Sequence, residues 1–100
     1  MVTTGLLIRM QAQEGKEAEV VRFLSDVIPI VEAEPDTTAL FAVQFGPSEF
    51  GVINAFPDEK GLQAHVAGHA GGALSEQAAQ LFAAPPTIEP LRILASKLPA

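Results

Sequence analysis

The chain has 100 residues, 48% hydrophobic and 18% charged, which suits one domain over residues 1–100 and excludes global disorder because enough apolar surface is present for a core. It contains no cysteine, which excludes disulfides, thiolate metal sites and cysteine nucleophiles and predicts a cytoplasmic location. The net charge is −6 and the basic residues are scattered, which argues against nucleic-acid and membrane-surface partners. No apolar run reaches membrane-spanning length, and no secretory signal is visible.

The first part of the chain predicts a strand followed by a helix. Apolar residues alternate with the others over residues 6–13, which is the two-residue period of a strand. An apolar stripe of 3.6-residue period then indicates an amphipathic helix from residue 16 to the stop at Glu34-Pro35-Asp36. Pro29 lies inside this helix and is expected to kink or shorten it, because proline lacks the N–H donor.

The middle of the chain predicts an antiparallel hairpin. Residues 38–45 are rich in β-branched and aromatic side chains and are apolar on both faces. A turn at residues 46–49 leads to renewed alternation over residues 50–56, which predicts the third strand. Because this strand is apolar on both faces, each face needs to pack against another part of the protein or against a partner.

The last part of the chain predicts two helical segments and a final strand. Asp58 can cap the first of these helices, and Gly71-Gly72 is expected to break it because each glycine weakens a helix by about 1 kcal/mol. Alternation over residues 88–98 predicts a fourth strand, which Pro90 confines to a sheet edge.

The order of elements, β-α-β-β-α-α-β, is the split βαβ pattern of ferredoxin-like α+β domains. It predicts a four-stranded antiparallel sheet with the helices on one face. The other face then has no cover from within the chain. We therefore expect a homodimer through this open sheet face, in which the two sheets form a dimeric α+β barrel.

Five short segments have a familiar arrangement along the chain, namely residues 15–17, 34–36, 50–59, 64–66 and 85–89. Together they resemble the antibiotic-biosynthesis-monooxygenase family of the dimeric α+β-barrel superfamily. The resemblance spans nearly the whole chain and implies this fold. Its quinone-forming members imply a monooxygenase that oxidises an aromatic or polycyclic phenol or quinol with dioxygen and no cofactor.

The residues that carry the family's chemistry are matched only in part. The quinone-forming members use Trp, Tyr and Asn to hold a phenolic substrate, whereas this chain has no Trp and no Tyr and offers Asn54 nearby. Phe56 occupies the position where the family usually has a tryptophan. The haem-degrading members resemble this chain in His65 alone, since Ile8 stands at the position of their strand-one asparagine.

The candidate catalytic residues are His65, Asn54 and Arg9. His65 lies where the helix edge borders the sheet, and its imidazole is a suitable base near neutral pH. The side chain of Asn54 is an amide in an apolar strand, so it must form a hydrogen bond with the backbone, with water or with a ligand. Arg9 in the first strand is expected to lie beside Arg92 in the fourth strand. Its guanidinium would help to hold an oxyanion. The expected substrate contacts are Phe56, Val52, Leu62 and His69.

Three interpretations of function stay open. The first is the cofactor-free monooxygenase, with His65 as the base. The second is a non-catalytic dimeric module that binds a small molecule or is structural, in keeping with the absence of Trp and Tyr. The third is haem binding through His65. His65 and His69 are four apart on one predicted helix and could hold a metal with Glu76, but two imidazoles alone do not make a site, so we expect no metal and no cofactor.

Overall fold

The computed structural model describes residues 1–67 and 69–99, with the side chains of all of these except residues 69–71 and 73. Its secondary structure follows the predicted order. The elements are β1 (Thr4–Gln11), α1 (Glu17–Glu32), β2 (Ala39–Gln44), β3 (Glu49–Phe56), α2 (Glu59–Val66), α3 (His69–Leu81) and β4 (Thr87–Arg92).

The four strands form one antiparallel sheet in the order β2-β3-β1-β4. The helices contact one side of it, which confirms the predicted ferredoxin-like α+β fold. β4 lies at a sheet edge, as Pro90 requires, because proline has no N–H to give to a strand on each side. Within the described part of the chain, no helix combines the length and apolarity needed to cross a membrane.

Strand alternation gives the sheet a covered face and an open face. On the covered face, Ile8 of β1 and Val52 of β3 are opposite each other and belong to the main buried cluster beneath the helices. On the open face, Leu7 is opposite Ile53, which is opposite Phe41. Phe41 and Ile53 are exposed. The alternation in the sequence therefore assigns each strand residue to its face.

α1 runs through Pro29 and ends at Glu32. The expected shortening at Pro29 does not occur, because Pro29 and Ser25, whose carbonyl loses its helical donor, are both exposed and water can hydrogen-bond that carbonyl. Glu17 and Glu19 lie in the first turn, where their charge suits the positive end of the helix dipole. Four buried side chains of α1 face the sheet, namely Val20, Leu24, Val27 and Val31.

The break between the two C-terminal helices lies earlier than predicted. α2 ends at Val66, and α3 begins at His69 and continues through Gly71-Gly72, so the expected break at the two glycines is wrong. Leu81 is buried in the main cluster, and Leu74 packs against it. This packing outweighs the low helix propensity of the glycines, because most helix stability in proteins comes from tertiary contacts.

β4 is shorter than predicted and ends at Arg92. Ile93 still donates its N–H to the Thr3 carbonyl at 2.9 Å. β1, the neighbour of β4, begins at Thr4, so the residues that follow Ile93 have no strand beside them. The alternation that continues to residue 98 therefore does not become a strand.

Candidate functional site

A cavity of about 50 Å³ lies between α1 and the covered face of the sheet. Most of its lining is apolar and comes from α1, α3 and the strands β1, β2 and β3, and it includes Val27, Leu40 and Val52. Its polar lining comes from Asn54 of β3 and His65 of α2. The cavity is therefore an apolar space with a polar end, large enough for a few water molecules.

Asn54 and His65 form a hydrogen bond at this polar end. The amide Nδ2 of Asn54 lies 2.8 Å from the ring Nε2 of His65. Asn54 is 1% exposed and His65 is 7% exposed, so both groups are shielded from water. Because an amide nitrogen can only donate, Nε2 is the acceptor and carries its lone pair on this side.

Glu34 holds the other side of the imidazole. His65 Nδ1 lies 2.7 Å from Glu34 Oε1, and the Thr37 hydroxyl donates to the same carboxylate oxygen at 2.9 Å. Glu34 follows α1, whereas His65 belongs to α2, 31 residues further along the chain. A single chain of hydrogen bonds thus joins Thr37, Glu34, His65 and Asn54.

The close approach of α2 to the segment after α1 depends on Gly61. A Cβ atom at this position would lie 2.9 Å from the Asp36 carbonyl oxygen and 3.3 Å from the Cβ of Phe56. Asp58 caps the helix by accepting the Gly61 N–H at 3.0 Å. Gly61 and His65 are four residues apart and therefore lie on the same face of α2, so the contact at Gly61 brings His65 within reach of Glu34.

Two buried oxygens of the site have no hydrogen-bond partner among the residues that the structure describes. They are Asn54 Oδ1 and Glu34 Oε2. A buried polar atom without a partner costs about 1–3 kcal/mol, so each is a place where a water or a ligand group that donates a hydrogen bond is stabilised. Asn54 Oδ1 belongs to a residue that lines the cavity.

The structure brings several of the predicted site residues together. His65, Asn54 and Val52 all line the cavity. Phe56 packs beside His65, with ring centroids 5.3 Å apart, and Leu62 packs against Phe56. Phe56 and Leu62 therefore support the imidazole from outside the cavity lining.

Arg9 lies apart from this group, on the open face. Its Nε is 3.3 Å from Glu89 Oε2, and its guanidinium lies 4.9 Å from the centre of the Phe45 ring. It is also not a cross-strand neighbour of Arg92, because Arg9 is opposite Thr87 while Arg92 is opposite Thr4. Strand alternation separates Arg9 from Asn54, so we do not include it in the site.

The side chain of His69 lies outside the described residues. The backbone places His65 in α2 and His69 at the start of α3, so the two are not four apart on one helix as predicted. Among the side chains that the structure does describe, no group of three His, Cys, Asp or Glu residues is close enough to hold a metal ion.

Glu34 is the residue of this site that sequence reasoning missed. The segment Glu34-Pro35-Asp36 predicts only where the first helix stops. Its one functional signal is a carboxylate next to a helix end in a segment that the family resemblance includes. Nothing in the periodicity relates it to a histidine 31 residues away.

A larger groove of about 450 Å³ lies next to the cavity, between α1 and β2. Leu24 and Leu40 line both the groove and the cavity. Their side chains thus separate the two spaces. The groove falls in the range of about 300–1,000 Å³ that small-molecule sites occupy, whereas the cavity is much smaller.

No protein-family model and no curated protein matches the sequence. Among solved structures, the NE2512 protein of unknown function from Nitrosomonas europaea is 48% identical, with a TM-score of 0.97, over 100% of this chain and 97% of that one. A "Putative antibiotic biosynthesis monooxygenase" from the same organism is 15% identical, with a TM-score of 0.82, over 92% and 99% of the two chains. Another of that description, from Caulobacter crescentus, is 18% identical, with a TM-score of 0.79, over 94% and 92%.

The chain thus has the fold of proteins described as antibiotic biosynthesis monooxygenases, which confirms at the level of the fold the resemblance found in the sequence. At 48% identity over its full length, it belongs to the same protein family as the NE2512 protein.

Proposed function

We propose that the protein is a monooxygenase that oxidises an aromatic phenol or quinol with dioxygen and without a cofactor, with His65 as the base. The observation that carries this proposal is the pair formed by Asn54 Nδ2 and His65 Nε2, 2.8 Å apart at the polar end of an apolar cavity. One atom of the pair donates a hydrogen bond and the other accepts one. A hydroxyl group needs this combination of partners.

The first step is removal of the phenolic proton. A hydroxyl that enters the polar end replaces the direct hydrogen bond between the two side chains, and it then accepts from Asn54 Nδ2 and donates to His65 Nε2. When the proton moves to Nε2, the phenolate oxygen is held by the Asn54 amide and by the new imidazolium N–H. The apolar lining strengthens both contacts, because electrostatic interactions are stronger where water is excluded.

The second step uses the electrons of the phenolate itself. The anion is electron-rich and passes electrons to dioxygen, after which a ring carbon forms a bond to oxygen. For a phenol the balance closes without a further reductant: one oxygen atom becomes the second quinone oxygen, and the other leaves as water with the O–H hydrogen and one ring hydrogen. The protein then has to supply only the base, the oxyanion contact and a dry site.

Three observations support the proposal. The fold is that of proteins described as antibiotic biosynthesis monooxygenases. The imidazole is buried at a cavity instead of exposed on a helix surface. The groove beside the cavity offers room for a ring system whose hydroxyl reaches the cavity past Leu24 and Leu40.

The test is dioxygen uptake with a panel of one-, two- and three-ring phenols and hydroquinones, each paired with its fully O-methylated ether. We expect uptake and quinone absorbance with at least one phenol and none with the matching ether, which has no proton to give. His65→Gln should then lower kcat by about 10²–10⁴-fold, the usual contribution of a general base. If the ethers react as well as the phenols, or His65→Gln keeps full turnover, the proposal is wrong.

A non-catalytic binding module is the second candidate function. One observation favours it: Asn54, His65 and Glu34 already bond one another, as a purely structural network would. The same panel separates the two functions, because a binding module would show ligand-induced shifts in its NMR spectrum with no dioxygen uptake. Haem binding is less well supported, since Ile8 and Phe56 stand at two of the three positions that carry the resemblance to the haem-degrading members.

We also propose that a second copy of the chain covers the open face. Phe41, Phe45 and Ile53 are exposed there, and a two-fold association buries the same apolar patch on both copies. Native mass spectrometry should give a dimer, and Phe41→Glu should shift it to a monomer because a charge would be buried. A wild-type monomer at micromolar concentration contradicts this proposal.

A further inference from the structure

We propose that Glu34 is a positioning residue that makes Nε2 the basic atom of His65. Its catalytic consequence rests on the proposed function, whereas the ring tautomer that it sets is a property of the ligand-free protein. Glu34 does not itself line the cavity, and no hydrogen bond joins it to the Asn54 amide. It acts through the imidazole alone.

The inference starts from the 2.7 Å contact between Glu34 Oε1 and His65 Nδ1. An ionised carboxylate only accepts hydrogen bonds, so Nδ1 must carry the hydrogen. In a neutral imidazole the other nitrogen then has the lone pair, and that nitrogen is Nε2, which faces Asn54. A free histidine in water prefers the opposite tautomer, with the hydrogen on Nε2. The carboxylate therefore reverses the intrinsic preference of the ring.

The surroundings hold Glu34 in place for this role. The Thr37 hydroxyl donates to the same Oε1 at 2.9 Å, which gives the carboxylate a second hydrogen bond that holds it in place. The Glu34 side chain is 19% exposed, so water competes little for this oxygen. The tight approach at Gly61, where a Cβ would lie 2.9 Å from the Asp36 carbonyl, keeps α2 against the segment that carries Glu34.

The same contact matters after the proton has moved. Once Nε2 takes a proton, the ring is an imidazolium that donates from both nitrogens, and its positive charge lies 2.7 Å from a carboxylate. Charge-assisted hydrogen bonds are roughly twice as strong as neutral ones. Glu34 thus stabilises the charge that the reaction creates, in addition to setting the tautomer before it.

The test is the ¹⁵N chemical shifts of the histidine rings, recorded at alkaline pH. The chain has two histidines, so the loss of signals in His65→Ala assigns those of His65. We expect a protonated Nδ1 and an unprotonated Nε2 in the wild type. In Glu34→Ala we expect a majority of the Nε2–H tautomer, with the Asn54 amide turned so that its unpartnered Oδ1 accepts from Nε2–H. The matched control is Glu32→Ala, which removes an exposed carboxylate two residues earlier and should leave the tautomer unchanged.

A wild-type ring with the hydrogen on Nε2 overturns the inference, and it does so even if Glu34→Ala fails to fold. A folded Glu34→Ala that keeps the hydrogen on Nδ1 overturns it as well. Neither result depends on turnover. An intact Nδ1–H tautomer without dioxygen uptake on the phenol panel contradicts the proposed function and leaves the role of Glu34 in the ring intact.

Glu34→Gln separates position from charge. Its side-chain carbonyl can still accept from Nδ1, so the tautomer should stay as in the wild type, while the negative charge is lost. Where a phenol is turned over, Glu34→Gln should lower kcat with little change in KM, and Glu34→Ala should lower it by about 10²-fold or more. Equal kcat values for Glu34→Ala and the wild type would contradict the positioning role.

Discussion

The two faces of the sheet assign neighbouring residues of one strand to opposite environments. In β3, Asn54 is 1% exposed beneath the helices, while Ile53, the preceding residue, is 38% exposed on the open face. The covered face thus buries an amide, and the open face leaves an isoleucine in water. Each placement is unfavourable for the isolated chain, because buried amides need partners and exposed apolar side chains gain nothing from water. A buried amide such as Asn54 and an exposed apolar side chain such as Ile53 therefore mark the places where a ligand or a partner is expected to bind.

The carboxylate contacts of the two faces differ in the same way. The Arg9–Glu89 pair on the open face joins side chains that are about half exposed, whereas His65 and Glu34 meet where both are largely buried. Exposed pairs contribute about 0–1 kcal/mol, since water and salt screen them. A buried group that loses its partner costs about 1–3 kcal/mol. The comparison predicts that the same type of substitution lowers the free energy of unfolding more on the covered face than on the open face.

The largest difference in the loss of unfolding free energy is expected between substitutions of two phenylalanines, one on each face. Phe56 is 0% exposed beneath the helices and Phe41 is 59% exposed on the open face. Phe56→Ala should lower the free energy of unfolding by about 3–5 kcal/mol, since it leaves a cavity. Phe41→Ala should change it by less than about 0.5 kcal/mol in dilute protein. Urea unfolding of both variants measures this, and equal losses would remove the distinction between the faces.

Gly61→Ala tests the tight contact on the covered side. The new Cβ meets a backbone oxygen, which cannot rotate away, so we expect a loss of about 1–3 kcal/mol despite the better helix propensity of alanine. Gly46→Ala is the control, because nothing lies within 4 Å of its Cβ position. Thermal unfolding compares the two. A Gly61→Ala protein as stable as Gly46→Ala would mean that α2 can retreat from the Asp36 segment at no cost.

Asp58→Ala should have a smaller effect on the same helix. The Asp58 side chain accepts the Gly61 N–H, and loss of such a cap costs about 0.5–2 kcal/mol. Because α2 carries His65, amide hydrogen exchange in α2 should also become faster than in the wild type. Unchanged exchange in α2 would show that tertiary contacts alone hold its first turn.

The smallest effect is expected for the Arg9–Glu89 pair. Glu89→Gln should lower the free energy of unfolding by less than about 1 kcal/mol, and added salt should remove that difference. Chemical denaturation at low and high salt measures both. A salt-independent loss above this value would mean that the pair is buried in the protein in solution, as a second copy on the open face would make it.

The sequence predicts the order of the elements, because strand and helix periods differ and prolines and turn residues mark the ends. It also predicts the two faces, since alternation places Asn54 and Ile53 on opposite sides without any knowledge of the fold. The position of the break between α2 and α3 was predicted wrongly at Gly71-Gly72. Helix propensity is a local quantity, and here the packing of Leu74 and Leu81 overrides it.

The site could be predicted only in part. Asn54 and His65 were both candidates because each is a polar residue beside an apolar stripe. Glu34 could not be found, since its contact with His65 depends on how the segment after α1 packs on α2. The separation of Arg9 from Arg92 depends on the register of β1 and β4, which periodicity does not determine.

The partition between groove and cavity has a consequence for the speed of binding. Leu24 and Leu40 line both spaces, so a ring system in the groove can bring its hydroxyl to His65 once these two side chains change rotamer. Exposed side chains change rotamer in picoseconds to nanoseconds, but Leu24 is 5% exposed and packed in the core, so we expect ligand entry to be slower than this and to depend on movement of the packing around Leu24. Each ligand that enters also replaces the hydrogen bond between Asn54 and His65, whereas the bond between His65 and Glu34 stays in place, so the ring keeps its orientation while ligands exchange.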